Sequence, residues 1–226
     1  MSEQSELLEL FRNYNPDVWP LPIIAYVVGV AVLVLIVLRP SRTVDRFAAG
    51  MLAFLWLWLG IVFQAIYVRD VDPALGVAYA AIFVVEAVLI ARAGIVQGKL
   101  GFRPAANVAT IFGGLAIFYA LVVYPLLGIA LGHGYPEAAL FGVAPCPTTI
   151  VTFGLFLIVR PPFPKHLLAI PLVWAVLAPL GAVPQGVVED SGLFVVGLVA
   201  AALVLIRDGF HTAVRRPTTA AIPSPR

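Results

Sequence analysis

Residues 20–38 read PLPIIAYVVGVAVLVLIVL, and residues 39–46 read RPSRTVDR. The first stretch carries no charged side chain. As a helix rising about 1.5 Å per residue, it is long enough to cross a hydrocarbon layer of about 30 Å. The second stretch sets Arg39, Arg42 and Arg46 where the apolar run stops. Helix is the state open to such a run, because a strand in lipid leaves its backbone groups unpaired. A β-barrel would show ten-residue segments of alternating polarity, and this run is continuously apolar.

The pattern recurs outward along the chain. Further apolar runs occupy about 47–67, 74–94, 107–131, 146–159, 167–183 and 191–206. Composition agrees: 62% of the 226 residues are hydrophobic and 12% charged, and the mean hydropathy is +1.01. A soluble domain carries roughly a quarter of its residues charged. So much apolar surface cannot be hidden inside one small globule, and its natural partner is the lipid bilayer.

Lys and Arg set the orientation. Of the 14, all but Arg12 and Arg69 fall on one side of the alternation: after the first, third and fifth runs, and in the tail. The positive-inside rule makes that side cytoplasmic. Most acidic residues fall opposite, among them Glu3, Glu6, Glu9, Asp70, Asp72, Glu189 and Asp190. The expected fold is therefore all-α: a polytopic membrane bundle of seven transmembrane helices, N-terminus outside and C-terminus cytoplasmic. Residues 1–19 form an extracytoplasmic interfacial segment, with a short amphipathic helix ended at Asn13–Pro16. Residues 20–207 form the transmembrane domain, and 208–226 a disordered cytoplasmic tail.

The richest chemistry lies between the fourth and fifth runs, in Gly132-His133-Gly134-Tyr135-Pro136 and Ala144-Pro145-Cys146-Pro147-Thr148-Thr149. From Cys146 to Arg160, a helix spans about 21 Å. Cys146 is thus expected several ångströms inside the outer surface. Pro145 and Pro147 argue against a continuous helix there, with Cys146 as N-cap and Pro147 at the first helical position. The fifth span reads as a half-broken helix beside two Pro-bearing neighbours, at Pro125 and Pro179. Together they suggest an outward-facing cavity, although proline also merely shapes membrane helix packing.

Each candidate residue has two readings. Cys146 is a buried small hydrophobe, or a thiolate favoured at a helix N-terminus, able to attack or to bind a soft metal. His133 is a solvated loop residue, or a group that ligates metal or titrates near neutral pH. Thr148 and Thr149 donate to a ligand or cap the fifth helix. Tyr135 belongs to the same ligand-binding candidate set. Glu86, inside the third run, is expected to face the bundle, as a proton or cation site or as a neutral carboxyl bonded to a neighbouring helix. Gln64 is a lesser polar candidate.

No HExxH, P-loop, GxSxG or CxxCH motif occurs, no cofactor is expected, and nucleic acid is not an expected partner. Both lysines lie in loops, so no span offers a retinal Schiff base. One cysteine, Cys146, forms no internal disulfide.

The chain resembles a family of bacterial integral membrane proteins known only as a domain of unknown function. The resemblance rests on Asn15…Trp19-Pro20, Leu38-Arg39-Pro40, Leu55-Trp56-Leu57-Trp58, Tyr124-Pro125-Leu126-Leu127-Gly128 and the two motifs above. It implies a bacterial inner-membrane location and no particular activity. The function expected first is binding or movement of a small solute or ion through an outward-facing cavity lined by residues 132–149, with Glu86 towards its base. The alternatives are a membrane enzyme or thiol-dependent metal handler using Cys146 and His133, and a non-catalytic scaffold or partner subunit. A non-enzymatic role is favoured.

Overall fold

The computed structural model describes residues 6–214 and is all-helical, with no strand among them beyond an isolated bridge between Phe102 and Val159. The helices are α1 (Glu6–Asp17), α2 (Leu21–Leu38), α3 (Arg42–Val71), α4 (Pro73–Val96), α5 (Val108–Ala130), α6 (Pro145–Ile158), α7 (Lys165–Gln185) and α8 (Ser191–Val214). A short 3-10 turn, Val188–Asp190, leads into α8. Residues 1–5 of the N-terminal segment and 215–226 of the tail lie outside the described residues, and α8 continues past the expected tail boundary at 208.

Six helices among the described residues are long and apolar enough to cross a membrane: α2, α3, α4, α5, α7 and α8. Between 28% and 44% of each apolar window is buried, so most of its apolar surface faces outward. In α2 the buried residues are Pro22, Ala25, Gly29, Val32 and Ile36, a seam at helical spacing, while Ile23, Val27, Val30, Val34 and Val37 are exposed. An apolar exterior of this extent is far beyond the isolated patches of a soluble monomer.

Helix α6 is the exception. It has 14 residues and is apolar all round, and every one except Cys146 is buried. It runs through the middle of the bundle, packed on α5, α7 and α8. Contact with α5 is backbone on backbone. A Cβ placed on Gly113 would stand 2.7 Å from the Gly154 carbonyl oxygen, and one on Gly154 would stand 2.7 Å from that of Gly113. Small residues permit this approach where helices associate by packing alone.

Two expectations at helix ends are corrected. Helix α1 does not stop at Asn13–Pro16 but runs through Pro16 to Asp17. Its last turn is held from outside: Trp58 donates its indole N–H to the Tyr14 hydroxyl (2.9 Å), and Tyr67 donates to Asp17 (2.8 Å). Helix α6 begins at Pro145, with Ala144 as N-cap. The first turn of a helix has no intrahelical acceptors for its N–H groups, so Pro145 and Pro147 both fit there at no loss.

The loops gather at two ends. At the basic end, Asp45 accepts from Arg103 through both guanidinium nitrogens (2.7 and 2.9 Å) and from the Phe102 N–H (3.0 Å). Asp208 accepts from the Phe163 N–H (2.6 Å), and Arg207 donates to the Leu157 carbonyl (2.9 Å). These contacts close the C-terminal end of α6. The acidic end gathers α1, the 131–144 connection, and the α3–α4 and α7–α8 junctions.

The α5–α6 approach gives a paired test. Gly154→Leu is expected to cost roughly 3 kcal/mol or more by forcing the two backbones apart. Gly114→Leu, on the exposed side of α5 with nothing within 4 Å of its Cβ position, should change stability by less than about 0.5 kcal/mol. Thermal unfolding of the purified variants measures both, and equal losses would refute a close-packed α5–α6 contact.

Candidate functional site

At the acidic end, a cavity of about 320 Å³ opens between α1, α3, α4, α7 and the N-terminus of α6. Leu10, Phe11, Phe63, Leu75, Tyr79, Leu177 and Ala178 form apolar walls, and Glu6 and Asp72 lie among the rest of the lining. Gln64, Tyr124, Cys146, Trp174 and Asp190 supply polar atoms from inside. The lining contains no Lys, Arg or His. This is the composition of a small-molecule pocket: mostly apolar, with a few converging polar groups.

The polar floor assembles from distant parts of the chain. Tyr124 donates its hydroxyl to Asp190, and the Cys146 thiol lies beside the same carboxylate. Trp174 flanks the sulfur from α7, its indole nitrogen buried without an acceptor. Gln64 is fully buried, and neither its amide oxygen nor its nitrogen has a partner. A buried primary amide offers two donors and an acceptor, and leaving all of them unmade costs several kcal/mol in an apolar surround. An ordered water or another occupant of the cavity would supply the missing bonds.

Local winding helps aim these side chains. Residues Leu59–Val68 of α3 form a π-helical stretch, as do Tyr119–Val123 of α5. The wider turn rotates the succeeding residues relative to a regular helix, and such insertions are frequent at functional positions. Gln64 lies within the first, and Tyr124 directly follows the second. Pro125, which has no N–H to donate, comes immediately after, and the helix continues to Ala130.

Beside the cavity lies a second buried pair. His133 Nδ1 is 3.5 Å from Glu189 Oε1, and both side chains are buried. Tyr119 donates to the Glu189 backbone carbonyl (2.7 Å). The adjacent acids therefore diverge: Asp190 turns to Cys146 and Tyr124, Glu189 to His133.

Helix α1 crosses this end of the bundle. Asn15, fully buried, donates to the Pro136 and Ala138 carbonyls (2.5 and 2.9 Å). Leu7 donates its N–H to Gln185 (3.0 Å), and Arg12 pairs with Glu137. The ring of Tyr14 packs edge-on to Phe63 and Tyr67, at 5.1 and 4.8 Å between centroids. Burial pushes its phenol above the ordinary tyrosine range, so it keeps its proton in the bond with Trp58.

Of the residues singled out from the sequence, Cys146 lines the cavity, and His133 lies beside it on Glu189 rather than on Cys146. Tyr135 is exposed and stacks edge-on against Trp19 at 5.8 Å, as an interfacial aromatic does. Thr148 donates to the Ala144 carbonyl (2.7 Å) and accepts from the Gly142 N–H (2.9 Å), while Thr149 donates to the Pro145 carbonyl (2.8 Å). Both hydroxyl protons are thus spent on the first turn of α6. Glu86, midway along α4, is fully buried, has no partner for either oxygen, and is not part of the cavity lining. Among the described residues, no three of His, Cys, Asp and Glu converge as metal ligands.

Asp190, Tyr124 and Trp174 escaped the sequence reading. The available signal was the Glu189-Asp190 pair directly before an apolar helix, with no nearby cation to neutralise it. A larger apolar groove of about 390 Å³ between α2 and α3 contains Arg46 as its one charged residue and opens on the apolar exterior. It has the character of a surface that takes a lipid chain rather than one that orients a solute.

Asn15 provides the test of how this end is held. Asn15→Ala leaves the Pro136 and Ala138 carbonyls without their donor, at a cost of about 1–3 kcal/mol. The expected result is a lower unfolding temperature and faster amide exchange across 131–144. Unchanged exchange would show that α1 does not clamp that segment.

Two comparisons with known proteins returned nothing: no curated protein and no solved structure matches the chain. A family model does match, over residues 4–215, and its description is "Family of unknown function (DUF6064)". Covering nearly the whole chain, it settles membership: this protein belongs to the DUF6064 family.

Proposed function

We propose that this is a seven-pass protein of a bacterial inner membrane that binds a small, largely apolar, neutral or cationic solute in the cavity at its outer end. The buried and unpartnered Gln64 amide, facing a cavity with Asp190 at its floor, carries this reading. The seventh crossing is α6, completed at its outer end by the 131–144 connection. The basic end is the cytoplasmic one by the positive-inside rule.

Charge selects the class of solute. Glu6, Asp72 and Asp190 line the cavity without a cation to offset them. An anion entering would meet carboxylates at mouth and floor. A cation or neutral hydrogen-bonding molecule meets acceptors, together with the faces of Tyr79, Tyr124 and Trp174. Gln64 offers donor and acceptor, and Trp174 a donor, so a hydroxyl, amide or amine head on an apolar body fits the inventory. Movement of that solute across the membrane is the extension of this reading, with Glu86 as the polar group lying deeper in the bundle.

Thiol chemistry gains less support. Neither imidazole nor ammonium lies beside Cys146, because His133 is engaged by Glu189. Its polar neighbours are a carboxylate, a phenol and an indole, and none of them is a cation that favours the thiolate.

A thermal-shift panel on the purified protein tests the proposal, using small apolar amines, alcohols and carboxylates of matched size. Amines and alcohols are expected to raise the unfolding temperature of the wild type, and carboxylates not to. Gln64→Leu should reduce the shift at least tenfold in apparent affinity, about 1.4 kcal/mol. Stabilisation by carboxylates alone, or equal shifts in the variant, would refute it.

A further inference from the structure

The basic end holds a second concavity, of about 560 Å³, built from three segments distant in sequence. Arg42 comes from the start of α3, Lys99 and Arg103 from the α4–α5 loop, Arg160 from the α6–α7 loop, and His166 from the first turn of α7. A short antiparallel pairing draws the two loops together: the Arg103 N–H donates to the Ile158 carbonyl (3.0 Å), and the Arg160 N–H to that of Gly101 (2.9 Å). The lining is otherwise mainly glycine and proline, so the cationic side chains dominate its chemistry.

Their charges are not balanced from within. Four of the lining residues are Lys or Arg, against one carboxylate, Asp45. Asp45 already accepts two bonds from Arg103 and one from the Phe102 N–H. Arg103 is thereby fixed as part of the floor. Arg42, Lys99 and Arg160 are exposed and have no acidic partner among the described residues. Asp208, the other carboxylate at this end, is occupied by the Phe163 N–H and Arg207 and is not part of the lining.

Charges that served only to orient the chain could be spread along the helix ends, as Arg39 after α2 and Arg92 in the last turns of α4 are. Here three unpaired cations face one concavity whose walls are held by hydrogen bonds. The geometry points to a binding site for a phosphate-bearing ligand at the basic end, separate from the cavity at the acidic end. Its chemistry suits a phosphodiester headgroup at the membrane surface or a soluble phosphate compound alike, since several point charges around one anion serve both. The interaction is electrostatic and surface-exposed, so it weakens as salt screens it.

The test uses the full chain in nanodiscs. In one arm, discs of phosphatidylcholine with a minor fraction of phosphatidylglycerol are examined by native mass spectrometry for retained phosphatidylglycerol. In the other, pyrophosphate is titrated onto phosphatidylcholine discs and read by thermal shift at low and high salt. Binding is expected in at least one arm, falling with salt, and at least tenfold weaker in the triple variant R42Q/K99Q/R160Q. The control R39Q/R92Q removes two charges at the same end that do not line the concavity, and it should bind as the wild type does. Because all five side chains are exposed, both variants should keep the wild-type unfolding temperature; if the triple variant does not, Arg160→Gln alone replaces it and must still weaken binding severalfold. Retained lipid without pyrophosphate binding assigns a lipid headgroup, and the reverse a soluble ligand. Binding in neither arm, or equal loss in control and triple variants, overturns the inference.

Discussion

A helix of 14 residues at the centre of the bundle governs this structure. At about 1.5 Å per residue, α6 is roughly 21 Å long, about 9 Å short of a hydrocarbon core. Backbone groups that reach beyond a helix end in an apolar medium must be satisfied by protein. Both ends of α6 are therefore roofed. At the basic end the 97–107 and 159–164 loops do this, fastened by Asp45, Arg103, Arg207 and Asp208. At the acidic end Thr148, Thr149, the 131–144 connection and α1 do it.

The two concavities arise from that shortfall. Full-length helices surround a central one that stops early at each end, and the space beyond its ends is filled only partly by loops. At the acidic end the remainder is walled by apolar side chains and floored by Tyr124, Cys146 and Asp190. At the basic end it is ringed by arginine and lysine. The same geometric cause yields an apolar, acid-floored pocket on one side and a polar, cationic one on the other, because the loops at each end carry opposite charge. The proposed solute and phosphate sites differ for this reason.

Much of the helical framework was legible in the sequence. The apolar run 20–38 became α2 at Leu21–Leu38, and 107–131 became α5 at Val108–Ala130. Where polar residues extend a helix past the apolar stretch, hydropathy alone undershoots: α3 starts at Arg42, not 47, because Ser41 caps it by accepting from the Val44 N–H (3.2 Å). The site was less legible. Cys146 was expected at the start of the fifth helix, and it lies in the first turn of α6. Its place beside Asp190 and the bond from Tyr124 to that carboxylate bring together residues of three separate helical segments, and no local periodicity reports such pairings. The π-helical turns were invisible as well, because they shift the register of Gln64 and Tyr124 without altering composition. Proline at 145 and 147 marked the helix start to within two residues: it breaks a helix interior but suits the first turn, and nothing local says which of the two opens that turn.

The most direct measurement asks whether the two ends of the bundle lie on opposite sides of a membrane. Cys146→Ser removes the native thiol, and single cysteines are then introduced at Tyr135 and, separately, at Lys99, both of them exposed. Intact cells are treated with a membrane-impermeant maleimide. Opposed ends predict labelling of Tyr135→Cys in intact cells, and of Lys99→Cys only after the membrane is opened. Labelling of both positions from the same side would contradict a bundle that crosses the bilayer in this sense.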